Sequence, residues 1–338
     1  MKLSNETDEI DILLSTYNGE QYLEELLESL FCQTYTNWSL IIRDDFSGDK
    51  TQLIINQYTK AYPDKIRCID NHEGRIGPCQ SFAKLLTVST APYIMFCDQD
   101  DVWLPDKIQK MLYKMKQVES QNESLPVLIH SDLIVVNREL SLISNSFWKY
   151  QKLRPELNQI NYLMVQNNVT GCATIINKHL QQICLPVPTE AVMHDWWIAL
   201  IAAIKGKIEY INEPTILYRQ HEDNDTGAKK YTPYYFFFRL LNLKESISSN
   251  KKIIDQAIAL GKFCCDINEE YTSMSDNQRV IKEFSSLLRR KRLSRMATLF
   301  KYKIRKFGLL RTIGFIMVLL LMKKKHTTLN GPYHHRGA

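Results

Sequence analysis

The amino-acid sequence predicts an α/β fold, with a Rossmann-like, mostly parallel central sheet and helices on both faces. Two observations carry that prediction. Strand-sized apolar runs alternate with amphipathic helical runs through the first half of the chain, the pattern of successive βαβ units. Runs read as strands also end in polar residues, and in open parallel sheets the strands' carboxyl ends surround ligand sites. The 338 residues leave room for one domain of about 220–250 residues and a smaller region. A hydrophobic content of 44% with few Gly or Pro is that of a globular chain rather than a disordered one.

The elements follow in order. "IDILLS" is the first strand, and in "QYLEELLESLFCQ" the residues Leu23, Leu26, Leu27, Leu30 and Phe31 fall on one helical face, which belongs on the sheet. "WSLIIRDD", "TQLIINQYTKAY", "KIRCID", "SFAKLLTVS" and "YIMFCD" continue the alternation. A helix is expected from about Asp106 to Glu119, with Pro105 as a first-turn residue. The strand "VLIHSDLIVV" comes next, and the pattern loosens between Asn137 and Gln166. "NNVTGCATII" sets Gly171 before a β-branched run, and "MHDWWIALIAAIKG" sets His194 and Asp195 at the mouth of an apolar helix. The strand in "KIEYINEPTILYRQHEDND" carries Arg219 and His221 two residues apart.

Charge is divided unevenly along the chain. From Phe284 onward there are 14 Lys or Arg and no Asp or Glu, leaving 29 basic against 37 acidic residues before it. An acidic body with a basic tail reads as an enzyme with an electrostatic anchor. Within the tail, the uninterrupted apolar stretch Gly314 to Met322 has nine residues, too short for the about 20 needed to span a bilayer. A basic, apolar-faced helix lying on anionic lipid is expected, the alternative being a helical region packed on the domain. The last segment, "HTTLNGPYHHRGA", is expected to fray, and its three histidines are weak evidence for metal. The polar start "MKLSNETDEI" does not have the pattern of a signal peptide. No CxxC pair occurs, and Cys32, Cys68, Cys97 and Cys172 sit in apolar runs, so reduced core thiols and a cytoplasmic location are expected.

The segment "YIMFCDQDDVWLPDK" drives an apolar strand into three aspartates. If the strand continued, Asp98 and Asp100 would point the same way about 7 Å apart, and two anions that close need a proton or a cation between them. Oxygen ligands of this type suit Mg²⁺ or Mn²⁺. The competing reading is a solvated turn in which Asp101 or Asp106 favours the next helix start. The company of "STYN" after the first strand and "RDDFSGD" after the second favours a nucleotide-plus-metal site, because all three clusters face one crevice. Asp195 has a plain alternative role as a helix-start residue favoured by the macrodipole. Of Trp196 and Trp197, one is expected in the core and the other on a sugar-binding surface. Arg219 and His221 beside a diphosphate would neutralise charge there; otherwise they are surface residues.

These residues together resemble family 2 glycosyltransferases of the GT-A fold, over roughly Ile10 to Thr226. "LLSTYNGEQYLEELLESLFCQTYTNWSLIIRDDFSGDKT" resembles the family's nucleotide-binding opening, "CDQDDVW" its DxD motif and "HDWW" its catalytic-base motif. The wording "CDQDDVWLPDKI", "VTGCATIIN" and "HDWWIALIAA" is similar to bacterial rhamnosyltransferases of cell-wall or capsule polysaccharide synthesis. The resemblance implies that Ser15, Tyr17 and Asp45 contact the donor's base and ribose, with Asp45 accepting from a pyrimidine ring N–H. It implies that Asp98 lies near ribose and metal, that Asp100 binds the metal bridging the diphosphate, and that Asp195 is the general base. Arg219 is then assigned to the donor and His221 to the metal. His194 departs from the acidic residue many relatives carry there. The expected organisation is a transferase domain over residues 1–226, with its nucleotide-sugar half ending near 136, a helical membrane-associating region over 227–325, and a flexible end over 326–338.

The chemistry expected is a single displacement with inversion, Asp195 taking the acceptor hydroxyl's proton, since no second carboxylate is identified as a nucleophile. The donor implied is dTDP-β-L-rhamnose, with a UDP-hexose as alternative, and the acceptor a saccharide on a polyprenyl diphosphate at the inner face of the cell membrane. Two rival classes remain at this point. A Mg²⁺-dependent phosphohydrolase or nucleotidyltransferase would also cluster aspartates, but would not need an Asp195-type base beside tryptophans. A nucleic-acid binder is suggested by "RRKRLSRMATLFKYKIRKFG", but the acidic body would repel phosphate.

Overall fold

The structure, a computed structural model, describes residues 8–222, 242–266 and 275–323. The domain boundary expected at 226 and the flexible end over 326–338 lie outside the described residues.

The strands are β1 (Ile10–Thr16), β2 (Trp38–Asp44), β3 (Ile66–Cys68), β4 (Tyr93–Asp98), β5 (Val102–Trp103), β6 (Val127–Val136), β7 (Leu142–Ser144), β8 (Thr174–Asn177) and β9 (Lys207–Arg219). They form one sheet in the order β3-β2-β1-β4-β8-β6-β9-β5, with β7 paired to β6. β1, β2, β3 and β4 pair in parallel, as do β6 and β9. β8 runs antiparallel between β4 and β6, and the short β5 and β7 are antiparallel as well. The expected mostly parallel sheet is therefore present, with three antiparallel exceptions.

Helices cover both faces because alternate residues of each buried strand point to opposite sides. Ile10, Ile12 and Leu14 of β1 enter one core with α1 (Leu23–Phe31) and α4 (Lys107–Glu119), while Leu13 enters a second with α3 (Pro78–Val88) and α8 (His194–Lys205). The stripe predicted on α1 buries Leu23, Leu26, Leu27 and Leu30 against the sheet. α2 (Thr51–Ala61) adds Ile54 and Ile55 to the first core. Three short helices, α5 (Phe147–Gln151), α6 (Ile160–Leu163) and α7 (Lys178–Cys184), fill the stretch between β7 and α8. α4 starts at Lys107, after Asp106, whose carboxylate pairs with Lys110 at 2.9 Å. Cys97 and Cys172 are buried as expected, but Cys32 and Cys68 are exposed. Cys32 follows the last turn of α1 and Cys68 ends the edge strand β3, where an apolar run no longer guarantees burial.

The C-terminal helices are α9 (Leu243–Asp266), α10 (Asp276–Ser285), α11 (Arg292–Lys301) and α12 (Leu309–Leu321). They pack on the domain. Ile254, Leu260, Phe284, Leu287, Phe315 and Leu319 join the core that holds Phe82 and Trp197. Six such side chains represent about 10 kcal/mol of gross burial, comparable with the net stability of a whole domain. Several tail cations also bond to protein groups. Arg295 is 1% exposed and donates to the carbonyls of Leu319 and Met322, closing the C-terminal end of α12. Arg305 reaches the Tyr162 hydroxyl, and Arg311 the carbonyls of Gln151 and Lys152. The basic tail is thus a structural layer of the body as well as a source of surface charge. Among the described residues no helix is long and apolar enough to cross a membrane.

Candidate active site

The parallel register sets Ser15 on β1 opposite Arg43 on β2 and Asp98 on β4. The carboxyl ends of three neighbouring strands are therefore level, and the polar loops after them open into one cavity of about 1190 Å³. Ser15, Tyr17, Asp45, Asp98, Asp100, Asp195 and His221 all line it; Arg219 does not.

At one end of the cavity Asp45 is 2% exposed and held from three sides. Oδ1 accepts from Arg43 Nη1 at 2.7 Å and from the Ile76 N–H at 2.9 Å, and Oδ2 accepts from the Gly77 N–H at 2.7 Å. Gly77 sits at φ +81°, which lets the turn before α3 present that N–H. A carboxylate offers about four lone pairs, so three donors leave Oδ2 able to accept one more N–H. Ser15 donates to Ser81 Oγ at 2.7 Å, a group also held by Arg43. Tyr17 is clamped by Gln99, which accepts from its N–H and donates to its carbonyl, and the Arg75 guanidinium lies 3.8 Å from its ring centre. The result is a flat aromatic–guanidinium pair beside a buried carboxylate, suited to a planar base.

β4 ends at Asp98, so Asp100 stands in the following turn and the alternation of a strand does not extend to it. Asp100 instead pairs with His221, Oδ2 to Nε2 at 2.9 Å. Arg219 holds this turn from behind. It is 3% exposed; its Nε donates to the Asp100 carbonyl, its N–H to Asp101 Oδ1, and its guanidinium meets Glu25 and the Arg138 carbonyl. The expectation that Arg219 neutralises a donor diphosphate does not match this placement. Burial and the negative charges of Asp100 and Asp195 push the Asp98 carboxyl up to about 7.

Among the described residues one set of donors is gathered closely enough for a cation. Asp98, Asp101 and Cys172 have ligand atoms within 4.8 Å of one another. Burial holds the Cys172 thiol well above its ordinary value, and the Lys107 ammonium, fully buried over the Trp103 ring, already donates to the Cys172 carbonyl. Burial and the charges of Asp100 and Asp98 still hold the Asp101 carboxyl well above its ordinary range, so the trio is a partly compensated polar cluster beneath the site. Asp98, Asp100 and His221 line the cavity with carboxylate oxygens and an imidazole, ligand types that suit Mg²⁺ or Mn²⁺, but their ligand atoms are less closely gathered than those of the trio.

Asp195 lies in the first turn of α8. Its Oδ2 accepts from the Gly171 N–H at 2.9 Å and its Oδ1 from the Trp196 N–H, while burial pushes the carboxyl up to about 7. Gly171 is favoured by close approach: a Cβ there would lie 3.0 Å from His194 Nε2 and 3.4 Å from Asp195 Cβ, so that these side chains would have to give by a few tenths of an ångström. His194 is a neutral spacer. It packs between Phe82 and Phe96, and burial pushes its pKa down to about 3. Both tryptophans are buried. Trp197 donates to the Cys184 carbonyl and Trp196 to the Leu163 carbonyl, with Trp196 also touching the cavity.

Sequence reading missed Gln99, Arg75, Gly77 and Lys107. Gln99 lay within the aspartate cluster, and Arg75 with Gly77 in a loop whose "GRIGP" signalled a turn without revealing which carboxylate it would reach.

An open parallel sheet carrying a nucleotide-sized cavity, a metal-competent carboxylate turn and a base-like aspartate is the arrangement of a GT-A glycosyltransferase. The profile of Glycosyl transferase family 2 matches residues 11–184, and the chain belongs to that family. It is 29% identical over 241 residues to the dTDP-rhamnosyl transferase RfbG of Shigella flexneri, covering 64% of this chain and 74% of that one. It is 22% identical over 167 residues to the UDP-Glc:alpha-D-GlcNAc-diphosphoundecaprenol beta-1,3-glucosyltransferase WfgD of Escherichia coli, covering 49% and 59%. Among solved structures, TarS of S. aureus in complex with UDP-GlcNAc superposes with a TM-score of 0.53 at 14% identity, covering 87% of this chain and 73% of that one. A mannosyltransferase of Pyrobaculum calidifontis in complex with GDP-Man and Mn²⁺ gives 0.51 at 13% identity, covering 94% and 86%. Family membership is that of a glycosyltransferase, which favours the transferase reading over the phosphohydrolase and nucleic-acid ones.

Asp195→Asn is expected to lower kcat and kcat/KM together by about 10²-fold or more while nucleotide affinity stays within about twofold. A base works ionised, so wild-type kcat/KM should rise with pH and level off near or somewhat below 7, since any cation held by Asp98 and Asp100 favours the ionised form. Steady-state kinetics across pH check both; a nucleotide affinity that falls in parallel with kcat would make Asp195 structural.

Proposed function

We propose that the protein is an inverting rhamnosyltransferase, moving L-rhamnose from dTDP-β-L-rhamnose onto a saccharide carried by a polyprenyl diphosphate in bacterial cell-surface polysaccharide synthesis. The observation that carries the reading is that Asp45, Asp98, Asp100 and Asp195 meet in one cavity. The similarity to RfbG supports rhamnose. A UDP-hexose is the second reading, favoured by the name of WfgD and by Asp45, whose spare acceptor position suits a uracil as well as a thymine N–H.

In this reading Asp45 takes the N–H of the base, the Tyr17–Arg75 pair stacks on it, and Ser15 lies near the ribose. Asp98, Asp100 and His221 would hold Mg²⁺ or Mn²⁺, and Arg219 would act through Asp100 by fixing its backbone. A bound divalent cation supplies several kcal/mol of stabilisation to the charge that builds on the departing diphosphate. Asp195, its orientation fixed by the Gly171 N–H, accepts the proton of the acceptor hydroxyl as that oxygen bonds to the anomeric carbon. The nucleoside diphosphate leaves with the bonding pair from the opposite face, so configuration inverts and the β-L donor gives an α-L-rhamnoside. Trp196 and His194 limit water at the base side. Thermal stabilisation by dTDP-rhamnose, UDP-glucose, UDP-galactose and GDP-mannose, each with and without Mn²⁺, tests the donor. The largest shift should come from dTDP-rhamnose with Mn²⁺; a larger shift from a UDP-hexose would overturn rhamnose, and equal shifts without Mn²⁺ would overturn the metal.

The same reading places the protein at the cytoplasmic face of an anionic membrane. On α12 Leu310, Ile313, Met317 and Leu321 fall on one helical face and are each 40–50% exposed, and basic residues flank the helix. Apolar insertion and charge attraction then act together. Binding to anionic vesicles should weaken with salt without vanishing, and replacing all four residues by Gln should reduce it about tenfold or more. Co-sedimentation decides it: equal binding of neutral and anionic vesicles, or an unchanged four-Gln variant, would contradict the placement.

A further inference from the structure

Apart from Arg75, which lies beside Asp45, the cavity draws its carboxylates and its cations from different elements. Its carboxylates, Asp45, Asp98, Asp100 and Asp195, come from the strand ends and the start of α8. The C-terminal helices and the loop before α12 contribute Lys252, Lys306 and Arg311, and no carboxylate among the described lining residues. These helices are fixed against residues 137–222, the described part of the body after the nucleotide-sugar half. The Val192 N–H, three residues before Asp195, donates to Gln256 Oε1 of α9 at 2.8 Å, and the Phe307 N–H donates to Gln166 Oε1 at 2.9 Å. Arg311 is held in place by the carbonyls of Gln151 and Lys152. The Lys306 ammonium lies 5.3 Å from the centre of the Phe315 ring, which also lines the cavity.

We propose that Lys252, Lys306 and Arg311 form a phosphate-binding subsite for the acceptor, next to an apolar wall of Phe315, Val318 and Ile253. The inference rests on the transferase reading and gives its acceptor a chemical class, a saccharide whose reducing end carries phosphate. A held guanidinium and two ammonium groups suit phosphate oxygens. The donor's diphosphate is directed to the strand-end carboxylates, where Asp98, Asp100 and His221 would attract it through a cation. The apolar wall favours a phosphate that continues into a hydrocarbon chain over a free sugar phosphate. α12 carries both faces, with Arg311, Phe315 and Val318 on the cavity and the exposed Leu310, Ile313, Met317 and Leu321 beside them. A lipid-borne phosphate would thus enter along one helix.

The test uses the full chain saturated with Mn²⁺ and whichever of dTDP or UDP stabilises it more, so that the donor end is filled. Calorimetric titration with farnesyl phosphate, farnesol and glucose 1-phosphate then separates phosphate from chain. Wild type should bind farnesyl phosphate about tenfold or more tightly than farnesol, and Lys252→Gln with Lys306→Gln should remove most of that difference while leaving nucleotide affinity intact. Arg311→Lys, which keeps the charge but not the paired carbonyl contacts, should lose part of it. Binding of glucose 1-phosphate with the same lysine dependence supports the subsite and names a soluble source; binding of farnesyl phosphate alone names a lipid source. Equal affinity for farnesyl phosphate and farnesol, or a double variant that binds as wild type does, overturns the subsite. A wild type that takes the phosphate probe but neither nucleotide overturns the transferase reading and leaves the anion site standing.

Discussion

The constraint on which the structure depends is electrostatic: four carboxylates, Asp98, Asp100, Asp101 and Asp195, crowd the end of one sheet with too little positive charge between them. Asp98 and Asp195 are both pushed up to about 7, and Asp101 well above its ordinary range. Burial is the largest cause in each case, and the neighbouring aspartates add to it at Asp98 and Asp101. An uncompensated buried anion costs several kcal/mol, and the fold meets that cost in two places. Lys107 is driven fully into the core beneath Asp98 and Asp101, where burial lowers its own pKa to about 8. Arg219 is buried behind the turn and holds Asp100 and Asp101 by their backbone and side chain. What remains unbalanced faces the cavity, where a divalent cation and a diphosphate can complete it.

The remaining architecture serves that imbalance. Level strand ends on β1, β2 and β4 bring Ser15, Asp45 and Asp98 to one rim. The antiparallel β8 follows the tight turn at Gly171, whose N–H orients Asp195. The C-terminal helices close the other side and share their core with α3 and α8, so the wall of the cavity and the stability of the body are the same packing.

Much of the carboxylate-lined end of the cavity was legible in the sequence because it depends on local rules. The period of Leu23, Leu26, Leu27 and Leu30 fixes the face of α1, and strand-end polar clusters must converge in a parallel sheet. Asp100 was legible as a residue but not as geometry, because nothing in "FCDQDD" says that the strand stops at Asp98. Arg219 and His221 share a spacing of two, yet the strand ends between them, so one turns inward and the other meets Asp100. The tail was the hardest to read. Phe315, Val318 and Leu319 are as apolar as Ile313, Met317 and Leu321, and composition alone cannot say which stripe meets protein and which is exposed. Buried cations such as Lys107 and Arg295 are equally invisible, because lysine and arginine read as surface until a partner is seen.

The central claim, that the carboxylate turn is completed by a cation together with a diphosphate, is tested most directly by Mn²⁺ electron paramagnetic resonance. Free Mn²⁺ is titrated with wild type and with Asp100→Asn, in the presence and absence of dTDP. Wild type should bind one Mn²⁺ far more tightly with dTDP than without it, and Asp100→Asn should lose that gain while staying folded. Tight Mn²⁺ binding that ignores both dTDP and the substitution would place the ion elsewhere and contradict the account.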